Sequence, residues 1–181
     1  MRTGRIDSAN FEAFLDNPDA GLGQVAQEVY PLTVDYDQSL AQMIEAGSYD
    51  WVNSNIIETK FQSQGSGQVE IEVVLVHLNK VVKSEEVLRE LDRQGLRAAT
   101  LQELLALGAA HPELQRQFPI LALGSSWRDP DGFRYVPYLG RYGDERDLDL
   151  HWFEYGWHEV YRFLAVRQSF HSPVMSGFLF S

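Results

Sequence analysis

The 181-residue sequence predicts a single α+β domain, because helical periodicity occupies the middle of the chain and alternating, strand-like stretches dominate its C-terminal part. Hydrophobic residues make up 44% of the chain, which is typical of a globular core and argues against general disorder. We expect residues 1–35 to form an N-terminal extension with a short helix near Phe11 and Phe14. Residues 36–181 should form the domain, with two central helices followed by a mainly antiparallel C-terminal sheet.

Strand and helix signals alternate in the first part of this domain and just before it. Residues 30–34 are strand-like, and Asp37 is expected to open a helix that Gly47 ends. Residues 62–68 have the composition of a flexible turn. Residues 69–76 alternate at first and then become wholly apolar, as a strand does where it passes from an edge into a core.

The two central helices have the clearest start and stop signals. Ser84 is the expected N-cap of the first helix, and Gly95 is its expected stop. Thr100 and Glu103 form the capping box of the second helix, which should end near Gly108. From Phe118 onward the pattern predicts only strands and turns.

The segment 147–167 is the most informative part of the chain, because apolar and polar residues alternate through two predicted strands. One set should point inward and support the fold. The other should be exposed to solvent, with no chemistry common to its members. The predicted supports are Trp152, Trp157, Tyr161 and Arg162, and the predicted exposed positions are Asp149, His151, Phe153, Tyr155, Gly156, His158 and Val160.

This exposed set favours a contact surface over a catalytic site, because an acid, two histidines, two aromatic residues, a glycine and a valine do not form one reactive group. The four tryptophans of the chain suit a stiff support for such a surface, although an ordinary aromatic core explains them too. Replacement of the supporting Trp152 by alanine should cost about 3–5 kcal/mol. Replacement of the exposed Tyr155 or Phe153 should weaken partner binding at nearly unchanged stability.

Composition excludes several classes of function. A formal net charge of −11 without a basic stripe disfavours nucleic acid as a partner. The absence of cysteine removes disulfides, thiolate catalysis and cysteine-bound metals. The N-terminus has no apolar signal region, and no stretch approaches the roughly 18 apolar residues of a membrane span. We therefore expect a soluble chain without a signal peptide or membrane insertion.

Local motifs indicate no catalytic residues and no cofactor. Asp147, Asp149 and His151, with Glu154 and His158 nearby, have ligand atoms suited to a divalent metal. A solvated polar face is the simpler interpretation, since no supporting partner or ligand motif accompanies them, and no metal is predicted. The GSSW sequence at 124–127 lacks the second glycine of a nucleophile elbow, and the glycines of 65–67 lack the lysine of a phosphate-binding loop.

Two stretches resemble a known family. The helix, Gly95-Leu96-Arg97, Thr100 and Glu103 of the middle section are similar to the opening of C-type-lectin-like domains of the formylglycine-generating-enzyme type, although this chain lacks the proline of that motif. LDLHWFEYGWHEVYRFLAVR, at 148–167, resembles the diversified segment of variable proteins from diversity-generating retroelements, which use this fold. In such proteins, adenine mutagenesis of Asn codons varies the surface positions. All seven predicted exposed residues can be reached in this way, whereas Trp and Glu cannot.

The resemblance implies a C-type-lectin-like fold and a non-enzymatic, receptor- or adhesin-like protein of phage or prokaryotic source. Its partner would be a protein or cell-surface ligand, and the protein would be virion-associated or displayed on a cell surface. Alternatives are a calcium-dependent carbohydrate-binding lectin, a catalytic relative on the same fold, and a virion or host-surface structural protein. No Glu-Pro-Asn-like or Trp-Asn-Asp-like calcium motif is present, and without cysteine the copper-thiolate chemistry of the catalytic relatives is absent. The sequence indicates neither the ligand nor the oligomeric state.

Overall fold

A computed structural model describes residues 27–168 and confirms a mixed α+β architecture in this range. Between residues 27 and 168, three α-helices, a short 3-10 helix and eleven strands follow one another. In order they are β1 Val29–Asp35, α1 Leu40–Gly47, β2 Trp51–Val52, β3 Gln68–Val76, β4 Val82–Lys83, α2 Ser84–Arg93, β5 Leu96–Ala98, α3 Leu101–Ala110, the 3-10 helix Leu114–Arg116, β6 Ile120–Leu121, β7 Trp127–Arg128, β8 Arg134–Tyr142, β9 Glu145–Trp152, β10 Gly156–Trp157 and β11 Arg162–Arg167.

Nine of these strands form one sheet, in the order β1-β3-β11-β6-β8-β9-β2, with β5 beside β11 and β7 beside β8. Most pairs are antiparallel, but β6 pairs with β11 and β2 pairs with β9 in parallel. The sheet therefore includes β1 and β3, which precede α2 and α3 in the chain. The expected order of two helices followed by a C-terminal sheet is not confirmed, because the sheet is assembled from both halves of the chain.

Apolar residues cover both faces of this sheet and form two separate cores. On one face, α1 and α3 pack against residues such as Val73 and Leu164. On the other face, α2 packs against Val74 and Phe163 together with Trp157. Neighbouring residues of β3 and β11 thus enter different cores, as the alternation of side chains along a strand requires. Below, the helical face means the face covered by α1 and α3, and the indole face means the face that carries Trp157.

The central position of β11 changes the predicted pattern of the last strand. Strict alternation would bury only every second residue of this strand, but Phe163, Leu164, Ala165 and Val166 are all buried. The strand lies between β3 on one side and β5 and β6 on the other, with a core on each face. A strand in this position shows a continuous apolar run, and its alternation cannot separate an inner face from an outer one.

The helix starts follow local chemistry with two corrections. The capping box of α3 is confirmed, since Glu103 Nα–H donates to Thr100 Oγ1 and Thr100 N–H donates to a carboxylate oxygen of Glu103. Helix α1 begins after Ser39, which has its own capping box with Gln42, and not at Asp37. Ser84 is the first residue of α2 and does not cap it, because its hydroxyl is bonded elsewhere.

A buried arginine ties β9 to the helices. Arg146 is only 5% exposed, and its guanidinium donates to the carbonyl oxygens of Gly47 in α1 and Gly108 in α3, at 2.5 and 2.9 Å. Both carbonyls lie in the last turn of their helices, where unpaired oxygens and the helix dipole attract a cation. The guanidinium also lies 4.9 Å from the ring centre of Tyr49. These contacts hold the start of β9 in register beneath the two helices.

The expected boundary between residues 35 and 36 falls at the end of β1, which pairs with β3 along its whole length. Tyr30, Leu32 and Val34 are buried in the core on the helical face, so 29–35 belong to the domain. The short helix expected near Phe11, and the C-terminal tail from residue 169 onward, lie outside the described residues.

Candidate functional site

Five side chains come together on the indole face, where β8, β9 and the turn before β10 meet the start of β11. We call this group the aromatic patch, and it consists of Tyr138, Asp149, His151, Tyr155 and Tyr161. Each of the five is partly exposed. Asp149 and His151 share one side of β9, and Tyr138 of β8 is the register partner of Asp149.

His151 lies at the centre of the aromatic patch. Its ring centre is 4.4 Å from that of Tyr155, 5.0 Å from Trp157 and 5.9 Å from Tyr138. Tyr161 packs edge-on against Trp157 at 5.3 Å. Tilted and edge-to-face ring pairs at such distances are stabilising, so the patch is a packed surface and not a set of independent side chains.

Hydrogen bonds and burial set the electrostatics of the patch. Asp149 accepts hydrogen bonds from Asn53 Nδ2 at 2.7 Å and from the Tyr138 hydroxyl at 3.4 Å. Burial and the charge of Asp149 raise the pKa of Tyr138. Burial lowers the pKa of the His151 imidazole, and its Nδ1 accepts a hydrogen bond from the Trp152 amide at 2.8 Å. At neutral pH the His151 imidazole at the centre of the patch is therefore neutral.

Trp157 supports the patch from below. It is fully buried, and its Nε1–H donates to Ser84 Oγ at 2.8 Å, while the Ser84 hydroxyl donates to the carbonyl oxygen of Phe153 at 2.5 Å. The pairing of β10 with β4 brings Trp157 beside the start of α2, where Ser84 lies. One buried hydroxyl thus fixes both the indole and the turn after β9. The predicted inward position of Trp157 is confirmed.

Phe153 was predicted to be exposed, and this prediction is wrong. Its side chain points to the indole face, as those of Asp149 and His151 do, and this orientation agrees with the predicted alternation. The side chain is nevertheless only 4% exposed. The Arg134 guanidinium lies 3.4 Å from the ring centre of Phe153 and also pairs with Glu154 at 3.4 Å. The second core covers the indole face at Phe153 but leaves Asp149 and His151 partly exposed. Residues on the same side of the strand therefore differ in their exposure.

Trp152 was predicted to be a buried support, and this prediction is also wrong. It lies on the helical face of β9, like Leu148 and Leu150, but it stands beyond the core and is 42% exposed. Its ring centre is 5.0 Å from that of Phe133, which is itself exposed. The two rings shield each other at the end of the sheet.

The remaining predicted positions lie around the aromatic patch. His158 is exposed and its ring is 5.9 Å from Tyr155, and Val160 is 54% exposed. Gly156 is partly exposed, and a Cβ atom built on it would meet only Val81, at 3.8 Å. The supports Tyr161 and Arg162 are half-buried. The Arg162 guanidinium lies 4.5 Å from the Phe118 ring centre.

Tyr138 and Asn53 were missed by the sequence analysis. Tyr138 alternates within a strand-like stretch, but its contact with His151 depends on the register of β8 against β9. Asn53 follows β2, which pairs with β9 across 96 residues of chain. No local signal connects either residue to 147–167.

Between residues 27 and 168, no three His, Asp or Glu side chains come close enough together to hold a metal ion. None of the described helices has the length and apolarity needed to cross a membrane. Comparison of the chain with protein-family models, curated proteins and solved structures gives no match.

Proposed function

We propose that this chain is a non-enzymatic, receptor- or adhesin-like protein that binds a macromolecular partner through the aromatic patch and the positions around it. We also propose that a retroelement diversifies these positions and that the domain has a C-type-lectin-like fold. The observation that carries the proposal is that six of the seven predicted variable positions are at least partly exposed. Four of these six belong to the aromatic patch or contact it, namely Asp149, His151, Tyr155 and His158. Phe153 is no longer included.

The chemistry of the patch suits protein recognition. Tyrosine and histidine combine a large contact area with polar atoms and lose little conformational entropy when they bind. The three tyrosines of the patch are already held by ring contacts, and Tyr138 also by its hydrogen bond to Asp149, so little freedom remains to be lost on association.

The structure around these positions is compatible with varied side chains. His158 and Val160 are exposed, and a Cβ atom at Gly156 would make only an ordinary van der Waals contact, with Val81. By contrast, a Cβ atom on Gly124 would lie 2.5 Å from the carbonyl oxygen of Ala99. The fold therefore distinguishes positions that tolerate change from positions that do not.

A displayed library tests the binding surface. Positions 149, 151, 155, 156, 158 and 160 are randomised together, and folded display and binding to a fixed panel of purified proteins are measured. We expect most variants to fold and some to bind panel members specifically. Libraries randomised at the buried Phe153 and at the sterically blocked Gly124 serve as controls, and they should lose folded display. Equal tolerance at the control and test positions would contradict the proposal.

The DNA around the gene tests the source of the variation. We expect a nearby near-copy of the codons for 147–167 that differs mainly where the copy has adenine, together with a reverse transcriptase gene. A gene context without such a copy would contradict diversification by a retroelement. The proposed binding surface would then still be tested by the library experiment.

A further inference from the structure

Three polar groups of the aromatic patch have no hydrogen-bond partner among residues 27–168. They are Nε2 of His151 and the hydroxyls of Tyr155 and Tyr161. All three atoms are accessible to solvent, so each can reach a group of a bound partner. Such groups are bonded to water in the free protein and can exchange that bond for one to a ligand.

The other ring nitrogen of His151 determines what Nε2 can do. Nδ1 accepts a hydrogen bond from the Trp152 amide at 2.8 Å, so a neutral imidazole carries its proton on Nε2. Burial lowers the pKa of this imidazole and so favours the neutral form. The free nitrogen at the centre of the aromatic patch is therefore a donor and not an acceptor.

The two free hydroxyls lie close to this donor and to each other. The ring centres of Tyr155 and Tyr161 are 4.4 and 6.3 Å from that of His151. Burial raises the pKa of Tyr161, and the neighbouring phenol of Tyr155 raises it further. Three hydrogen-bond donors are thus gathered among the faces and edges of aromatic rings.

Asp149, the one carboxylate of the aromatic patch, is already engaged. Its Oδ1 accepts hydrogen bonds from Asn53 Nδ2 and from the Leu150 amide, each at 2.7 Å. Its Oδ2 accepts one from the Tyr138 hydroxyl at 3.4 Å. The acceptors that remain are the weaker phenol oxygens, so the patch suits a ligand that brings acceptors more than one that brings donors.

Charge limits which acceptor can bind. The chain has a formal net charge of −11, and Asp149 lies within the aromatic patch itself. A carboxylate or phosphate would be repelled, so a neutral carbonyl oxygen is the favoured acceptor. The exposed parts of the rings favour apolar groups beside that oxygen.

We propose that the partner presents a proline-rich segment to the aromatic patch; this inference rests on the function proposed above. Proline carries no N–H donor, and a polyproline II helix exposes its carbonyl oxygens to the surroundings. The helix is formed before binding, so it loses little conformational entropy in the complex. Its carbonyls accept from His151 Nε2–H and the hydroxyls of Tyr155 and Tyr161, while its apolar rings pack on the aromatic side chains.

The test is a titration of the ¹⁵N-labelled full chain with acetyl-decaproline amide, followed by amide and histidine side-chain NMR shifts. An acetylated Gly-Ser repeat of the same length is the control, because it keeps the carbonyls but adds N–H donors and lacks the rings. Maltohexaose is titrated in parallel as a neutral glycan. We expect saturable shifts around His151, Tyr155 and Tyr161 with the proline peptide, and an affinity at least about tenfold lower for the other two probes.

Two variants remove single donors and keep the rings. Tyr155→Phe and Tyr161→Phe should each bind the proline peptide about three- to tenfold more weakly. Both should keep the wild-type melting temperature, because neither hydroxyl has a partner among the described residues. Tyr135→Phe is the matched control. Tyr135 stacks on Trp127 and pairs in register with Trp152 of the helical face, so this variant should bind like the wild type.

Several results would overturn the proline-rich partner. They are the absence of saturable shifts with the proline peptide, equal affinity for the Gly-Ser peptide, preferential binding of maltohexaose, and an equal loss of affinity in Tyr135→Phe. The library experiment separates this failure from that of the proposed function. Specific binding of library members to the protein panel would still support the binding surface, whereas loss of folded display at the test positions would contradict the surface itself.

Discussion

Trp157 and Trp152 lie five residues apart in the same segment, yet they occupy opposite environments. Trp157 is fully buried on the indole face, bonded to Ser84 and surrounded by His151, Tyr155 and Tyr161. Trp152 lies on the helical face beyond the core, 42% exposed, with Phe133 as its ring partner. Alternation along β9 placed Trp152 on the same side as Leu148 and Leu150, but that side is covered only as far as the helices extend.

The comparison shows that strand alternation predicts which side a residue takes but not how deeply that side is buried. Phe153 illustrates the converse, since it shares its side with Asp149 and His151 and is nevertheless covered by the second core. Depth depends on which helix or loop lies above each residue, and this is a property of the assembled sheet.

The largest expected effect is at Trp157. Trp157→Ala should lower the free energy of unfolding by about 3–5 kcal/mol, because it leaves a large cavity in the second core and removes the donor to Ser84. Urea unfolding followed by circular dichroism measures the change. A loss below that of Trp152→Ala would invert the comparison between the two tryptophans.

Ser84→Ala tests the hydroxyl that joins the indole to the turn after β9. We expect a loss of about 1–3 kcal/mol, because the buried Trp157 Nε1–H and the Phe153 carbonyl both lose their partner. The same unfolding measurement applies. The exposed Ser126→Ala is the matched control and should change stability by less than about 0.5 kcal/mol. Equal effects of the two serine variants would show that the hydroxyl does not brace the turn.

Trp152→Ala should cost only about 1 kcal/mol, the typical effect of a substitution outside a core. The reason is that the ring is already partly in contact with solvent and loses mainly its contact with Phe133. Phe133→Ala and the double variant complete a cycle that isolates the ring contact. A loss close to that of Trp157→Ala would restore the original prediction that Trp152 supports the fold.

The smallest effect is expected from pH, through His151, which directly precedes Trp152 in the sequence. Since burial lowers the pKa of His151 in the folded state, the unfolded chain binds its proton first as pH falls. The stability contribution is complete above the unfolded pKa near 6.5 and decreases below it. Unfolding of wild type and His151→Gln between about pH 5 and 8 measures this dependence. A wild-type stability that rises relative to the variant as pH falls would contradict it.

Local chemistry made several parts of the fold predictable. The Thr100 capping box and the helix stop at Gly95, which has a φ of +71°, depend on residues only a few positions apart. The position of Trp157 was also predicted, because an indole among alternating apolar residues is most stable when buried. The role of Ser84 at the start of α2 was not predicted. Its hydroxyl forms hydrogen bonds with residues 69 and 73 positions away and does not cap its own helix.

The candidate site was predictable in part for the same reason. Asp149, His151 and Tyr155 were chosen from a local pattern and do lie together. Tyr138 and Asn53 complete the site through strand pairing, to which no short-range pattern points. Arg146 was overlooked because its two carbonyl partners belong to helices 99 and 38 residues away.

By itself the sequence determined the α+β class, the capping box of α3, the alternating sides of β9 and the absence of cysteine chemistry, since each depends on composition or on residues close together in the chain. Only the tertiary structure decided that Phe153 is buried and Trp152 exposed, and that Ser84 braces an indole. Burial and pairing depend on what the rest of the chain places above a residue, and that arrangement arises from contacts between distant elements.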